Sequence, residues 1–414
     1  MNVQPFWLRT GVLSAVCISC LSVRVLAVGA TFTPLGDLPG GDFYSQAFAV
    51  SADGTTVVGW SRGSDPGIPF QVSHEAFRWT QADGMVGLGD VDSAFVYSRG
   101  VAVSADGQII VGSASLGAGD RDIVAFRWTP TTGIASLINP DGQTAPMRAF
   151  GMSSDGSTVV GVFNPITGGT TGARWTASEG VVPIGSLPNS LGFPDAFATG
   201  ASATGSAISG QSLGAFVQPT FWSPAAGLVG LGDVPGGIEY ALGWNISADG
   251  STVVGGARTL FGPTSSRDEA FLWREPTGFV TLDPRHGQDF GSFAQATSAD
   301  GSVVVGTSDP GAFIWDAAHG MRLIADVLTN DFHLDMTGWS LASADSVSAD
   351  GTVIVGSGFN PNGDQEAWII SLPLTAGVPV IPTTSSWGLC VAMLLLLCVG
   401  TCVYRNLELD QADS

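Results

Sequence analysis

Short apolar runs broken by glycine, aspartate and proline recur between Thr31 and Pro373, and none has helical periodicity over a useful length. One unit repeats. A run of small residues leads into a turn such as Ser51-Ala52-Asp53-Gly54, and Val57-Val58-Gly59 follows. Next comes an Ala-Phe-x-Trp run, as in Ala76 to Trp79, and then a stretch ending in Leu-Gly-Asp, as in Leu88-Gly89-Asp90. The turn markers stand at 53, 106, 155, 204, 249, 300 and 350, so seven copies follow one another at steps of 45–53 residues. Four short strands in about 50 residues, joined by tight turns, predict one blade of a β-propeller. An antiparallel β-solenoid is the rival architecture.

The ends of the repeat array favour the propeller. The seventh copy stops at Trp368 to Leu372 without its fourth strand, and the missing piece stands before the first copy, at Phe32 to Leu38. Leu35-Gly36-Asp37-Leu38-Pro39-Gly40-Gly41 matches Leu231-Gly232-Asp233-Val234-Pro235-Gly236-Gly237. A ring closed by an N-terminal strand removes exposed sheet edges, and a solenoid gains nothing from that offset. The expected fold is therefore all-β, a seven-bladed propeller over 31–373 with its last blade completed from the N-terminus.

Four residues before each marker serine stand Ala47, Gly100, Ala149, Ala198, Gly243, Ala294 and Ala344. Small side chains there suit strands converging on an axis, with the tryptophan-bearing strands further out. With the small-residue strand innermost, the Ser-Ala-Asp-Gly turns line one face. Long connections line the other, at Ser61 to Ser73, Ser113 to Asp122, Phe163 to Thr171, Ala257 to Asp268, Asn330 to Thr337 and Phe359 to Gln365. Variable loops on a rigid ring are where recognition concentrates.

Both flanks read as addresses. Arg9, an apolar stretch from Gly11 to Leu21 and small residues up to Ala30 predict a secretory signal peptide over 1–30. A linker at 374–388 precedes a charge-free run from Leu389 to Tyr404, bounded by Trp387 and Arg405, and an acidic tail occupies 406–414. The run predicts a transmembrane helix over 389–405 with the propeller outside, and an ordinary single-pass anchor is the plain reading.

Composition narrows the chemistry. Formal net charge is −21 and no lysine occurs, so nucleic acid is not an expected partner. The five cysteines lie at positions 17, 20, 390, 398 and 402, which leaves the repeat array without thiolate ligands. Four histidines, His74, His286, His319 and His333, fall in different repeats without metal-ligand spacing. No phosphate loop, dinucleotide fingerprint or nucleophile elbow occurs, so no cofactor or metal is expected. The repeated Asp-Gly reads as turn chemistry, since a calcium loop needs several oxygen ligands at alternating positions.

The repeats resemble the extracellular HAF family, named for a recurring His-Ala-Phe, over Phe32 to Leu372. Glu75, Val124, Gly172, Glu269, Gly311 and Glu366 stand where that family has histidine, so no role of the histidine carries over. Ile381-Pro382-Thr383 with Trp387, Gly388, the apolar run and Arg405 resembles the Ile-Pro-Thr-Leu type of C-terminal sorting domain. Thr384 replaces its leucine and Ser386 its usual glutamate. These resemblances imply an exported, surface-held repeat protein that meets export and sorting machinery and the membrane.

Two function classes stay open. One is a non-catalytic scaffold binding an extracellular glycan or surface protein through the loop-rich face. The alternative is a propeller enzyme acting on polysaccharide, a glycosidase or lyase, whose carboxylates would assemble from distant blades. No catalytic residue is assigned. Arg99 and Arg148, each preceding the small residue of its copy, with Gln46 from the first copy, are the binding candidates, a subsite for a carboxylate or uronate at the channel mouth.

Overall fold

A computed structural model describes residues 29–63, 74–91, 97–115, 123–163, 170–188, 195–214, 216–260, 265–282 and 291–373. The signal peptide, the sorting-motif residues Ile381, Pro382, Thr383, Trp387, Gly388 and Arg405, and the apolar run at 389–405 lie outside them. Among the described residues no helix is long and apolar enough to cross a membrane.

The described residues form 28 strands in four-stranded antiparallel sheets, seven in all. The second blade is representative, with strands Tyr97–Val103, Ile110–Ser115, Val124–Thr129 and Gly133–Ser136. Single parallel pairings, His74 with Tyr97 and Val217 with Tyr240, link the first blade to the second and the fourth to the fifth. Thr31–Pro34 pairs with Gln365–Ser371, from Thr31 opposite Ser371 to Pro34 opposite Trp368, and completes the last sheet.

The sheets close a ring, and the closure is visible in three independent layers. Backbone hydrogen bonds run between neighbouring turns, including Ala105 N to Ser154 O (2.7 Å) and Ala299 N to Ala349 O (3.0 Å). Ala349 N to Ala52 O (3.0 Å) then joins the seventh turn to the first. Buried clusters lie between adjacent blades, and one of them sets Val355, Ala367 and Ile369 of the last blade against Leu35, Ala47, Val57 and Phe77. Buried serines tie the third strand of one blade to the first strand of the next. Ser98 Oγ accepts from Ala76 N (2.9 Å), Ser292 Oγ from Ala270 N (3.0 Å), and Ser45 Oγ from Ala367 N across the closure (3.0 Å). An open stack has no counterpart for these last contacts.

The turns behave as turn chemistry requires. Asp53 Oδ1 accepts from Ser51 Oγ (2.5 Å) and Thr55 N (3.0 Å), Ser51 Oγ accepts from Thr56 N (3.0 Å), and Gly54 has φ 74°. Each first strand carries a β-bulge between the small residue and the one two places on, for example between Ala47 and Ala49. The bulge pushes a carbonyl at the second strand. A Cβ on Gly59 would lie 1.9 Å from Gln46 O, and one on Gly161 would lie 1.9 Å from Arg148 O. That close approach explains the glycine of Val-Val-Gly.

Three expected loops are more ordered than the residue pattern implied. Most of Ala257 to Asp268 is hairpin, because Thr252–Leu260 pairs with Ser266–Arg274 as far as Leu260 opposite Ser266. Alternation along Arg258, Arg267 and Asp268 is polar on both faces, so it does not read as strand. Phe359 to Gln365 is a tight turn in which Asn360 Oδ1 accepts from Asn362 N (2.9 Å) and Asp364 N (3.0 Å). A short helical segment, Ile324–Asp326 and Val327–Asp331, takes in the start of Asn330 to Thr337, and its Ile324 and Leu328 are buried in the cluster between the sixth and seventh blades.

Candidate binding face and axial channel

The seven innermost strands surround a channel of about 170 Å³. Bulge-position side chains Phe48, Val101, Phe150, Thr199 and Asp345 line it, with small residues such as Ala102 and Gly200 between them. Asp345 is the one ionisable side chain among the described lining residues. Its accessible surface opens onto the channel, Ser343 Oγ donates to its Oδ2 (2.7 Å), and burial pushes its carboxyl up to about 7.

At the loop-rich mouth a second cavity of about 320 Å³ opens between the first and second blades. One wall is an aromatic ladder. Tyr44 stacks on Trp60 (centroids 4.8 Å), Trp60 on His74 (3.9 Å), and His74 meets the edge of Tyr97 (5.0 Å). Arg62 caps the ladder, 4.7 Å above Tyr44. Cross-strand geometry makes the ladder. Arg62 pairs with His74 and Trp60 with Ala76, while Tyr97 arrives through the parallel bridge from the next blade. Burial first, then the charges of Arg62 and Arg99, hold the His74 imidazole down to about 4, so it is neutral at pH 7.

The binding candidates divide. Gln46 and Arg99 line this cavity, and Gln46 Oε1 accepts from Trp60 Nε1 (3.0 Å). Arg148 does not line it; its guanidinium lies 5.3 Å over Phe150 on the third blade. Arg99 pairs in register with Ser113 and Arg148 with Val162, so the two arginines occupy equivalent positions on neighbouring blades that face different surroundings. Sequence reading missed Trp60, His74 and Tyr97. One sign was present: Trp60 follows the Val-Val-Gly glycine, where other copies have Ser113, Val162, Gln211, Gly256, Thr307 and Ser357.

Side chains at the start of some third strands, Glu75, Gln218 and Glu366, also have a use here. Glu75 Oε1 accepts from Gly89 N (3.1 Å), Gln218 Oε1 from Gly232 N (3.2 Å), and Glu366 Oε1 from Gly36 N (3.0 Å). Each fastens the Leu-Gly-Asp end of a fourth strand to the third strand. Burial raises the Glu75 carboxyl above its usual range. This is scaffold chemistry.

No protein-family model matches the chain, and no curated protein matches it either. Solved structures similar to it include one described as a β-propeller domain. TolB from Acinetobacter baumannii is 13% identical, with TM-score 0.42, over 78% of this chain and 65% of that one, so the chain spans about two thirds of TolB's length. A putative TolB from Agrobacterium tumefaciens is 14% identical, with TM-score 0.41, over 71% of this chain and 96% of that one. The β-propeller domain of the Trilobed protease from Pyrococcus furiosus is 12% identical, with TM-score 0.49, over 79% of this chain and 94% of that one.

Proposed function

We propose that the protein is an exported, surface-held repeat protein of HAF type whose seven-bladed ring is a non-catalytic scaffold. Its loop-rich face binds an extracellular glycan or a surface protein. The terminal segments support export and membrane retention: an apolar run after Arg9, and Leu389 to Tyr404 behind an Ile-Pro-Thr motif.

One observation carries the choice of face. Phe43, Leu213, Ile238, Leu260 and Phe359 are exposed large apolar side chains, and all lie at the loop-rich ends of first or second strands. The other exposed ones, Val86, Ile138, Val229 and Val280, lie on or just after outer fourth strands. Trp244 is the exception, at the bulge of its first strand three positions before Ser247; among the described residues no other exposed large apolar side chain lies toward the Ser-Ala-Asp-Gly turns. Apolar surface gathered on one face of a soluble ring marks an interaction surface. A polysaccharide hydrolase would need a carboxyl pair about 5–10 Å apart.

The test is a glycan array and a pull-down from extracellular fractions, using the full chain and a variant with the blade-one connection 64–73 replaced by a two-residue turn. Ligand retained by the full chain and lost by the variant supports the reading. Ligand retained equally by both overturns it.

A further inference from the structure

We infer that the axial channel, entered from the Ser-Ala-Asp-Gly face, binds a linear aliphatic diamine or polyamine, with one ammonium group of the ligand paired to Asp345. The site lies on the face opposite the loops, so it is independent of the binding reading above.

Asp345 is a channel carboxylate without a cation. Ser343 Oγ donates to its Oδ2 (2.7 Å), and among the described residues its Oδ1 has no hydrogen bond and no arginine pairs with it. Arg148 lies over Phe150 and does not line the channel. Burial is the largest influence on Asp345, and no neighbouring charge offsets it. A desolvated carboxylate is stabilised by a counter-charge, and the wall supplies none.

The form of the channel selects the cation. Its walls are the edges of the seven first strands, so small residues such as Ala102 and Gly200 alternate with the side chains of Phe48, Val101 and Phe150. About 170 Å³ is below the usual range of small-molecule sites, which suits a narrow chain better than a sugar ring. Methylene groups match the apolar side chains. Strand-edge carbonyls complete the three acceptors that an ammonium group needs beside a carboxylate. Calcium fits worse, because it takes six to eight oxygen ligands. Among the described residues no three acidic, histidine or cysteine side chains are grouped to hold an ion.

The mouth carries the second charge. Turn residues such as Ala52, Ala105 and Ala349 line the end of the channel, and an exposed aspartate follows each, Asp53, Asp106 and Asp350. These three accept their hydrogen bonds at Oδ1, which leaves Oδ2 without one among the described residues. Neighbouring turns are close enough for Asp53 to act on Asp106 and Asp300 on Asp249. A ring of negative charge round a pore concentrates cations at its entrance. Asp345 lies four residues before Ala349, roughly 10–13 Å further in along the strand. A linear ligand with two ammonium groups at that separation meets both charges.

Calorimetry with the full chain at about pH 8, where Asp345 is ionised, uses diaminooctane, diaminopropane, octanediol and calcium chloride. Diaminooctane is expected to bind. Diaminopropane should bind at least tenfold more weakly, because it reaches only one of the two charges, and octanediol and calcium should not bind in the channel. Lowering the pH to about 5 protonates Asp345 and should weaken diaminooctane at least tenfold. The mouth aspartates stay ionised over that interval, since hydrogen bonds hold them below the usual carboxylate range. Asp345→Asn should give the same loss at about pH 8. Asp53→Asn with Asp350→Asn should weaken binding only about two- to threefold, and not at all in about 0.5 M salt, which screens the exposed charges. No binding of diaminooctane, equal binding of octanediol, or displacement of the diamine by calcium overturns the inference. So does binding that is unchanged by pH, or that salt abolishes and Asp345→Asn leaves intact. The ligand and pH series need no variant and stand even if Asp345→Asn fails to fold.

Discussion

Glu366 and Gly36 stand 330 positions apart and share a 3.0 Å hydrogen bond, Gly36 N donating to Glu366 Oε1. Asn360 Nδ2 donates to the other carboxylate oxygen (3.0 Å), and both side chains are buried. The contact sits where the first-made strand meets the last-made sheet. Glu366→Ala leaves two donors without a partner in a buried place, a loss of roughly 2–3 kcal/mol. Glu366→Gln keeps an acceptor for Gly36, as Gln218 does for Gly232 in the fourth blade (3.2 Å), and should cost under about 1 kcal/mol. Chemical denaturation of the two variants measures the difference; equal losses would deny the carboxylate its fastening role.

Acid should unfold the ring through its turns. Asp53, Asp155, Asp249 and Asp350 are held below the usual carboxylate range, because hydrogen bonds from serine, threonine and backbone N–H outweigh the opposing effect of burial. For Asp106 and Asp300 the hydrogen bonds are themselves the largest influence. A carboxyl with a lowered folded value contributes stability above its unfolded pKa and loses it as pH falls through the folded one. Melting temperature should therefore drop steeply below about pH 4. Asp53→Asn with Asp350→Asn should make that drop shallower, and an unchanged slope would remove the turns from the account.

The glycine of Val-Val-Gly and the glycine of an outer turn are different requirements. At Gly59 an added Cβ would sit 1.9 Å from the Gln46 carbonyl, so Gly59→Ala must flatten the bulge or push the first and second strands apart. A loss of at least roughly 2 kcal/mol is expected, as for overpacked cores. Gly133 has φ 64° with open space around its Cβ position, so Gly133→Ala incurs only backbone strain, about 1 kcal/mol. Thermal shifts of the two variants, ranked in that order, test the bulge as the reason for the motif.

How much of this was legible follows from what repeats. The four-stranded unit and the turn at Asp53 recur as residue patterns, and the structure has them there; the lent strand, expected over Phe32 to Leu38, is the shorter Thr31–Pro34. Bulges were hidden, because Ala47 and Ala49 look like plain alternation until the second strand shows Val58 opposite Ala49 and Gly59 opposite Ala47. The aromatic ladder was hidden for another reason. His74 and Tyr97 are 23 positions apart and meet only across a junction between blades, which no single repeat encodes. Asp345 stood in plain view among small residues, and only the convergence of the inner strands makes its position a channel wall.

His74 and Asp345 should cancel across the mildly acid range. Burial and two arginines hold the folded His74 at about 4, against an ordinary value of 6.5. The folded state thus refuses a proton that the unfolded chain takes up, and stability contributed by neutral His74 is lost as pH falls from 6.5 toward 4. Asp345 runs the other way. Its folded value is about 7 against 3.8, so its contribution is present at low pH and lost as pH rises from about 4 to 7. The two effects oppose each other and their windows overlap. The parent protein should show a nearly level stability between about pH 4 and 7 from this pair. Asp345→Asn removes one limb and should make the protein less stable at the acid end of that range than at neutrality. His74→Phe keeps a ring between Trp60 and Tyr97 and should reverse the slope, with the acid end now the more stable. Denaturation midpoints at a series of pH values read both slopes directly; two variants with parallel profiles would show that neither group is desolvated as its surroundings require.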